Sequence, residues 1–251
     1  MNRVVLATGR MTRMELRLLR RDWALLFFGI GFPVVLLLLF ANLPDMTDPI
    51  PGSDGLRAFD VVMAPIALSI ALLIISLQLM PQQIVTVREK GILRRLSTTP
   101  APRVGLLVAN FAIGALISVL AVVAVLAGGS LVHGLALPRS LPAFLLVYLC
   151  AMITTLSITM LIAGISRTAN IANGIGSILL VPMMFLSGAM VPREDLPELV
   201  RRIGDLTPVG AVTRALRASW AGEALPLQPF LVMGVTVLLV WPIAIRFFRW
   251  E

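Results

Sequence analysis

The chain has 251 residues, 58% of them hydrophobic and only 14% charged, where a soluble domain carries about 25% charge. A soluble fold of this size cannot bury that much apolar surface, so the composition excludes one and points to an all-α, multi-pass membrane protein. The net charge of +8 does not signal a nucleic-acid partner, because the arginines flank apolar runs in the pattern of topology signals and lipid-headgroup contacts.

Residues 1–22 predict an amphipathic interfacial helix. Val4, Ala7, Met11, Met14 and Leu18 recur at three- and four-residue spacing, and so do Arg10, Arg13, Arg17 and Arg20. An apolar stripe beside a basic one suits the inner headgroup layer. Residues 23–251 read as one six-span domain. Apolar runs near 23–43, 61–80, 104–131, 141–165, 171–190 and 228–245 each come close to the ~20 residues that cross a bilayer core. The first run has long charged flanks and no A-x-A-like exit, so it reads as a span rather than a cleaved signal peptide. Asp45, Asp48, Asp54 and Asp60 fall in the outer connection that follows it. With the N-terminus inside, the inner side carries about twice as many Lys and Arg as the outer. That bias places both termini in the cytoplasm and the chain in the plasma (inner) membrane.

The inner connection after the second span contains "VREKGILRRLSTTP", residues 87–100, and predicts a helix over about 84–99. Ile92 and Leu96 lie one turn apart with Leu93 beside them, while Arg88, Arg94 and Arg95 spread over the remaining surface. Such a helix either rests on anionic headgroups or presents apolar knobs and charges to a partner. In the third span Gly114 and Ser118, and in the fifth Gly174, permit close helix contact, within the chain or between copies. Cys150 is the single cysteine, so no intrachain disulfide is available. Pro182 predicts a kink in the fifth span. Residues 191–227 are too polar to cross and too long for a tight turn. Pro192, Pro197 and Pro208 punctuate them, and Pro197 opens a short helix to about Gly204. Beyond Pro208, Val209, Val212, Leu216 and Trp220 form an apolar stripe, with Arg214 and Arg217 on another face. Two short helices at the outer membrane surface, dipping back into it, are expected.

Several chemistries lack their residues. The single histidine, His133, falls in an outer connection, and no metal motif or Gly-rich dinucleotide turn is present. "GISR" at 164–167 places Ser166 as in a Gly-x-Ser nucleophile, but His133 lies on the opposite side of the membrane, so no Ser–His pair forms. A phosphate-binding loop needs Lys directly after Gly, and the single lysine, Lys90, follows Glu89. The six runs hold no Asp, Glu, Lys, Arg or His, the groups that carry ion coupling. Energy for any transport must therefore come from another chain, and the apolar interior suits a lipid-like or amphiphilic cargo.

Two motifs add a resemblance. Arg88, Glu89, Gly91, Leu93, Arg95, Leu96, Thr99 and Pro100 match a pattern of the form E-R-E-x-G-T-L-E-R-L followed by Thr-Pro. Val87, Ile92 and Arg94 depart from it. Downstream, Phe185, Leu186, Ser187, Gly188, Pro192, Leu196, Pro197, Pro208, Leu216 and Arg217 match a Phe-Leu-Ser-Gly, Pro, Leu-Pro, Pro, Leu-Arg series. In both motifs the chain resembles the membrane permeases of type-2 ABC transporters, which export drugs, lipids and polysaccharides. The resemblance implies a cytoplasmic coupling helix that docks on a separate ABC ATPase through Arg88, Glu89, Lys90, Gly91, Ile92, Leu93, Arg95 and Leu96. It implies an outer re-entrant hairpin over about 191–227, with Phe185, Ser187, Gly188, Pro192, Pro197, Pro208 and Arg217 at a gate. It also implies a second permease subunit, identical or related, and contact with membrane lipids. The chain itself is then non-catalytic and holds no cofactor, ATP and Mg belonging to the partner. Drug efflux and antibiotic resistance are the expected settings. A membrane scaffold or immunity-type protein of the same fold is the alternative.

Overall fold

The computed structural model describes residues 23–42, 46, 48, 55–91, 103–191 and 193–247. The interfacial helix expected at 1–22 lies outside them. Among the described residues every extended element is helical. They are α1 (23–41), α2 (59–89), α3 (Arg103–His133), α4 (Leu141–Ile165), α5 (Ala169–Leu186), a 3-10 turn at Arg193–Asp195, α6 (Glu198–Leu206), α7 (Pro208–Ala221) and α8 (Leu227–Phe247). Six of these, all but α6 and α7, contain stretches long and apolar enough to cross a membrane.

The core is built around α2. Every residue from Ala64 to Ile74 is buried, as suits a helix apolar on all sides. α1, α3, α4 and α5 pack against it, α8 packs on α4 and α7, and the outward faces of these spans are apolar. Leu39, Leu131, Ile178 and Leu238 are all exposed, a surface that water does not tolerate and hydrocarbon does. The second span was expected at 61–80, whereas α2 runs from Phe59 to Glu89. At 1.5 Å per residue its 31 residues exceed a ~30 Å hydrocarbon core, so α2 projects beyond the apolar layer. Polarity from Gln82 onward marks that emergence, and nothing in those residues stops the helix.

Proline shapes the first two spans. Pro has no N–H, and its ring crowds the carbonyl four residues back. Pro33, Pro65 and Pro81 each follow two residues behind a widened π-helical turn, at Phe27–Gly31, Phe59–Met63 and Ile75–Leu79. A widened turn makes room for the ring and keeps the helix continuous. Hydroxyls supply further donors at and beside these turns. Thr159 Oγ1 of α4 donates to the carbonyl of Ser76, inside the third turn, at 2.9 Å, and Ser69 Oγ donates to the carbonyl of Pro65, just beyond the second, at 2.8 Å. In α5, Pro182 lies inside a helix that continues to Leu186.

Small residues set the closest approaches. A Cβ on Gly176 of α5 would stand 1.9 Å from the Leu77 carbonyl oxygen of α2. Gly114 sits against Leu156 and Met80, and Tyr148 Oη donates to the Ser118 carbonyl at 2.8 Å. Gly114 and Ser118 are therefore used within the chain. Gly174 faces open space. Gly176→Ala must push α5 off α2 and is expected to cost about 1–3 kcal/mol. Gly174→Ala is expected to cost nothing and to gain a few tenths in helix propensity. Thermal unfolding of the two variants in detergent checks the pair: equal midpoints would refute the close contact.

Candidate functional site

The end of the molecule near Gly91 is organised by the last turn of α2. Ile84 and Val85 are buried against Met160, Ile162 and Ala163 of α4 and Ala172 of α5. Beyond them Lys90 N–H bonds the Thr86 carbonyl and Gly91 N–H the Arg88 carbonyl, both at 3.0 Å. Gly91 sits at φ +64°, a left-handed conformation that ends a helix and favours glycine. Glu89 and Lys90 are exposed. Arg88 is not turned to solvent with them. Its Nη1 donates to the Ala163 carbonyl at 3.3 Å and its Nη2 to the Ser166 carbonyl. Of the eight residues expected to dock a partner, Arg88, Glu89, Lys90 and Gly91 are thus brought to one corner. Ile92, Leu93, Arg95 and Leu96 lie outside the described residues, and so does the part of the expected coupling helix beyond residue 91.

At the opposite end, the Phe-Leu-Ser-Gly motif has a local reason: it closes α5. Gly188 at φ +80° lets its N–H reach the Phe185 carbonyl at 3.1 Å, while Ala189 N–H reaches the Met184 carbonyl at 3.2 Å. This paired reversal satisfies carbonyls that a helix end leaves open. Ser187 Oγ adds a bond to the Met184 carbonyl at 2.8 Å. Phe185 stays exposed at the rim.

The chain then folds back through α6 and α7. Pro197 precedes α6, and Pro208 opens α7 behind Thr207. Thr207 Oγ1 accepts from Gly210 N–H at 3.2 Å and donates to the Gly204 carbonyl at 2.7 Å. A Cβ on Gly204 would meet the Leu186 carbonyl oxygen at 2.6 Å, and one on Gly210 the Gly204 carbonyl oxygen at 2.0 Å. The three helix ends therefore meet backbone to backbone. Asp205 holds the same corner, accepting from Arg193 Nη2 at 2.7 Å and lying 3.3 Å from Arg214 Nη1. Arg217 is partly buried on α7. Pro192 lies outside the described residues.

One expectation about this hairpin needs correcting. α6 keeps Leu199, Ile203 and Leu206 exposed, but α7 is not a surface helix. Ala211, Thr213, Ala215, Ala218 and Ser219 are buried as well as Val209, Val212, Leu216 and Trp220. α7 packs among α2, α4 and α8. Its small residues make this possible, because both faces of the helix are narrow enough to be covered.

A second correction concerns Asp60, which the sequence places in an outer loop. It belongs to the first turn of α2 and is buried. Arg57 Nε donates to Asp60 Oδ2 at 2.8 Å and its Nη2 to Asp60 Oδ1 at 2.9 Å. The same guanidinium donates to the carbonyls of His133 and Gly134, at 3.1 and 2.6 Å. Ala136 N–H closes on Asp60 Oδ1 at 2.9 Å, while Trp220 Nε1 donates to the Ala136 carbonyl at 3.1 Å. This knot joins α2, the α3–α4 connection and the end of α7. The ring of His133 packs edge-on against Phe59 at 5.7 Å. Hydrogen bonding to Asp60 raises the Arg57 pKa above the ordinary arginine value. A raised pKa in the folded state stabilises below the unfolded value and fades only as pH climbs through the folded one. The arginine side of the knot is therefore insensitive to pH across the working range.

Among the described residues no three His, Cys, Asp or Glu side chains converge to hold a metal. Ser166 and His133 lie at opposite ends of the antiparallel α3–α4 pair.

Residues 7–220 match the family model described as ABC-2 type transporter. No curated protein matches the chain. The family match covers most of the sequence, so the chain belongs to the ABC-2 type transporter family, whose members are membrane components of transporters that work with an ABC ATPase.

Asp60→Asn keeps the volume of the buried side chain and removes its charge. It is expected to cost about 2 kcal/mol, and Asp60→Ala about 3–5 kcal/mol, since Arg57 then loses its counter-charge. Thermal midpoints in detergent, with faster proteolysis inside 134–140, check this. Unchanged midpoints would show the knot to be ornamental.

Proposed function

We propose that this ABC-2 family protein is the membrane-spanning permease subunit of an ABC exporter. It moves an amphiphilic or hydrophobic substrate, a drug or a lipid-like molecule, outward across the plasma (inner) membrane. The power comes from ATP hydrolysis in a separate cytoplasmic nucleotide-binding subunit that holds the ATP and Mg. The observation that carries this reading is the family match over residues 7–220, joined to a chain with no phosphate-binding Gly-Lys sequence of its own.

The inner corner is where the ATPase docks. Glu89, Lys90 and Gly91 stand exposed or in a tight turn there, and Ile92, Leu93, Arg95 and Leu96 follow in the chain. Glu89 supplies a polar contact, and the apolar residues seat in a groove of the partner. The outer hairpin, with Phe185, Ser187, Gly188, Pro192, Pro197, Pro208 and Arg217 in and around it, caps the exit. A second permease subunit, identical or related, pairs through an outward face. α5 is the least enclosed of the spans and is the helix best suited to it. Both termini then lie in the cytoplasm, and the substrate class makes multidrug efflux the expected setting.

Co-purification tests the energy source. The tagged chain, expressed with its neighbouring cytoplasmic proteins, is expected to retain an ATPase bearing a phosphate-binding loop, and Glu89→Ala with Leu96→Ala is expected to release it. Retention of no ATPase by the native chain would leave the scaffold reading ahead. Orientation has its own check, in a Cys150→Ala background. A membrane-impermeant maleimide is expected to label Leu137→Cys on intact cells and Lys90→Cys only after permeabilisation; the reverse pattern would overturn the topology.

A further inference from the structure

The inner corner holds an arginine whose geometry is not that of a docking residue. Arg88 sits one residue before Glu89, yet its guanidinium is half-buried and engaged by α4. The acceptors are the carbonyls of Ala163 and Ser166, at the end of α4. A helix leaves its last carbonyls without intrahelical donors. Here Ser166 N–H returns to the Ile162 carbonyl at 3.0 Å, and Arg88 takes the carbonyls of Ala163 and Ser166. A fixed positive charge also complements the negative end of the helix dipole. The planar fork engages two acceptors at once, which an ammonium on a flexible stem does not do.

We propose that Arg88 is a positioning residue, a tie that makes the inner end of α4 follow the inner end of α2, and not part of the surface that the ATPase grips. This rests on the permease reading above. The rest of the path is built from ordinary packing. Ile84 and Val85 of α2 bury against Met160, Ile162 and Ala163. Thr159 Oγ1 pins α4 to the π-helical turn of α2. At the far end of α4, Phe144 meets Trp220 of α7 edge-on at 5.4 Å. A displacement of the segment after Gly91 thus enters α2, crosses to α4 at Arg88, and arrives at the outer hairpin. Interfaces of this kind switch between discrete packings and do not stretch.

Hydrogen exchange on the complex with its ATPase tests the tie, comparing the native chain, Arg88→Ala and Arg88→Lys, without nucleotide and with ATP trapped by vanadate. In the native complex, segments 84–89 and 162–168 are expected to respond together to trapping. In Arg88→Ala the ATPase is expected to remain bound and 84–89 to respond, while 162–168 does not. Without nucleotide, 162–168 is expected to exchange about tenfold faster in Arg88→Ala, the effect of losing a charge-assisted bond at a helix end. Arg88→Lys, which keeps the charge and loses the fork, should fall between the two; it also serves as the test variant should alanine prevent folding. Release of the ATPase by Arg88→Ala would make Arg88 a docking residue and overturn the proposal. An undiminished response of 162–168 in Arg88→Ala would overturn it as well. A native chain that binds no ATPase would instead sink the permease reading, and the nucleotide-free rates would still decide the tie, equal rates refuting it.

Discussion

Hydrocarbon offers no hydrogen bonds, so every backbone carbonyl and N–H inside the membrane must be satisfied by the protein itself. Much of this structure follows from that constraint. α1 and α2 contain prolines that remove donors, and each is absorbed by a widened turn instead of a break. Hydroxyls of Ser69 and Thr159 serve carbonyls near those prolines. At helix ends the same demand is met by Arg88 for α4 and by the Ser187–Gly188 reversal for α5. Features that look like unrelated motifs along the chain are thus answers to one accounting problem.

The second organising fact is how close backbones come. Gly176, Gly204 and Gly210 each face a carbonyl oxygen at a distance that leaves no room for a side chain. Lipid tails are as apolar as leucine, so helices in a membrane associate through fit and polar contacts more than through hydrophobic burial. Glycine contacts let α7 enter the bundle, and Asp205 between Arg193 and Arg214 holds its entry corner. α7 is consequently a packed part of the bundle, continuous with the knot of Arg57, Asp60 and the α3–α4 connection.

These two facts give the molecule two distinct ends joined by α2 and α4. One end presents exposed charges and a glycine turn at Glu89–Gly91. The opposite end is a cluster of short helices and bent connections held by buried and half-buried polar contacts. Packed interfaces of this kind switch between discrete arrangements and do not stretch, so the two ends are mechanically connected through α2 and α4.

The sequence by itself determined the membrane class and six spans, because apolar length is a property of a segment and needs no partner to be read, and two motifs carried the resemblance to the family. The span at 141–165 coincides with α4 to the residue, and its polar flanks are the reason. The sequence also singled out the two motifs at 88–100 and 185–217. It did not reveal what their residues do. Asp60 looked like a loop carboxylate because its distant partner, Ala136 N–H, and the His133 and Gly134 carbonyls that hold its neighbour Arg57 lie some 75 residues away. Arg88 looked like surface charge because its acceptors are backbone carbonyls, which leave no trace in residue type. α7 looked like a surface helix because an apolar stripe beside arginines reads the same whether small residues on its other faces meet water or neighbouring helices. Tertiary structure decided those three points, because each depends on which backbone atoms distant segments bring within hydrogen-bond or van der Waals reach.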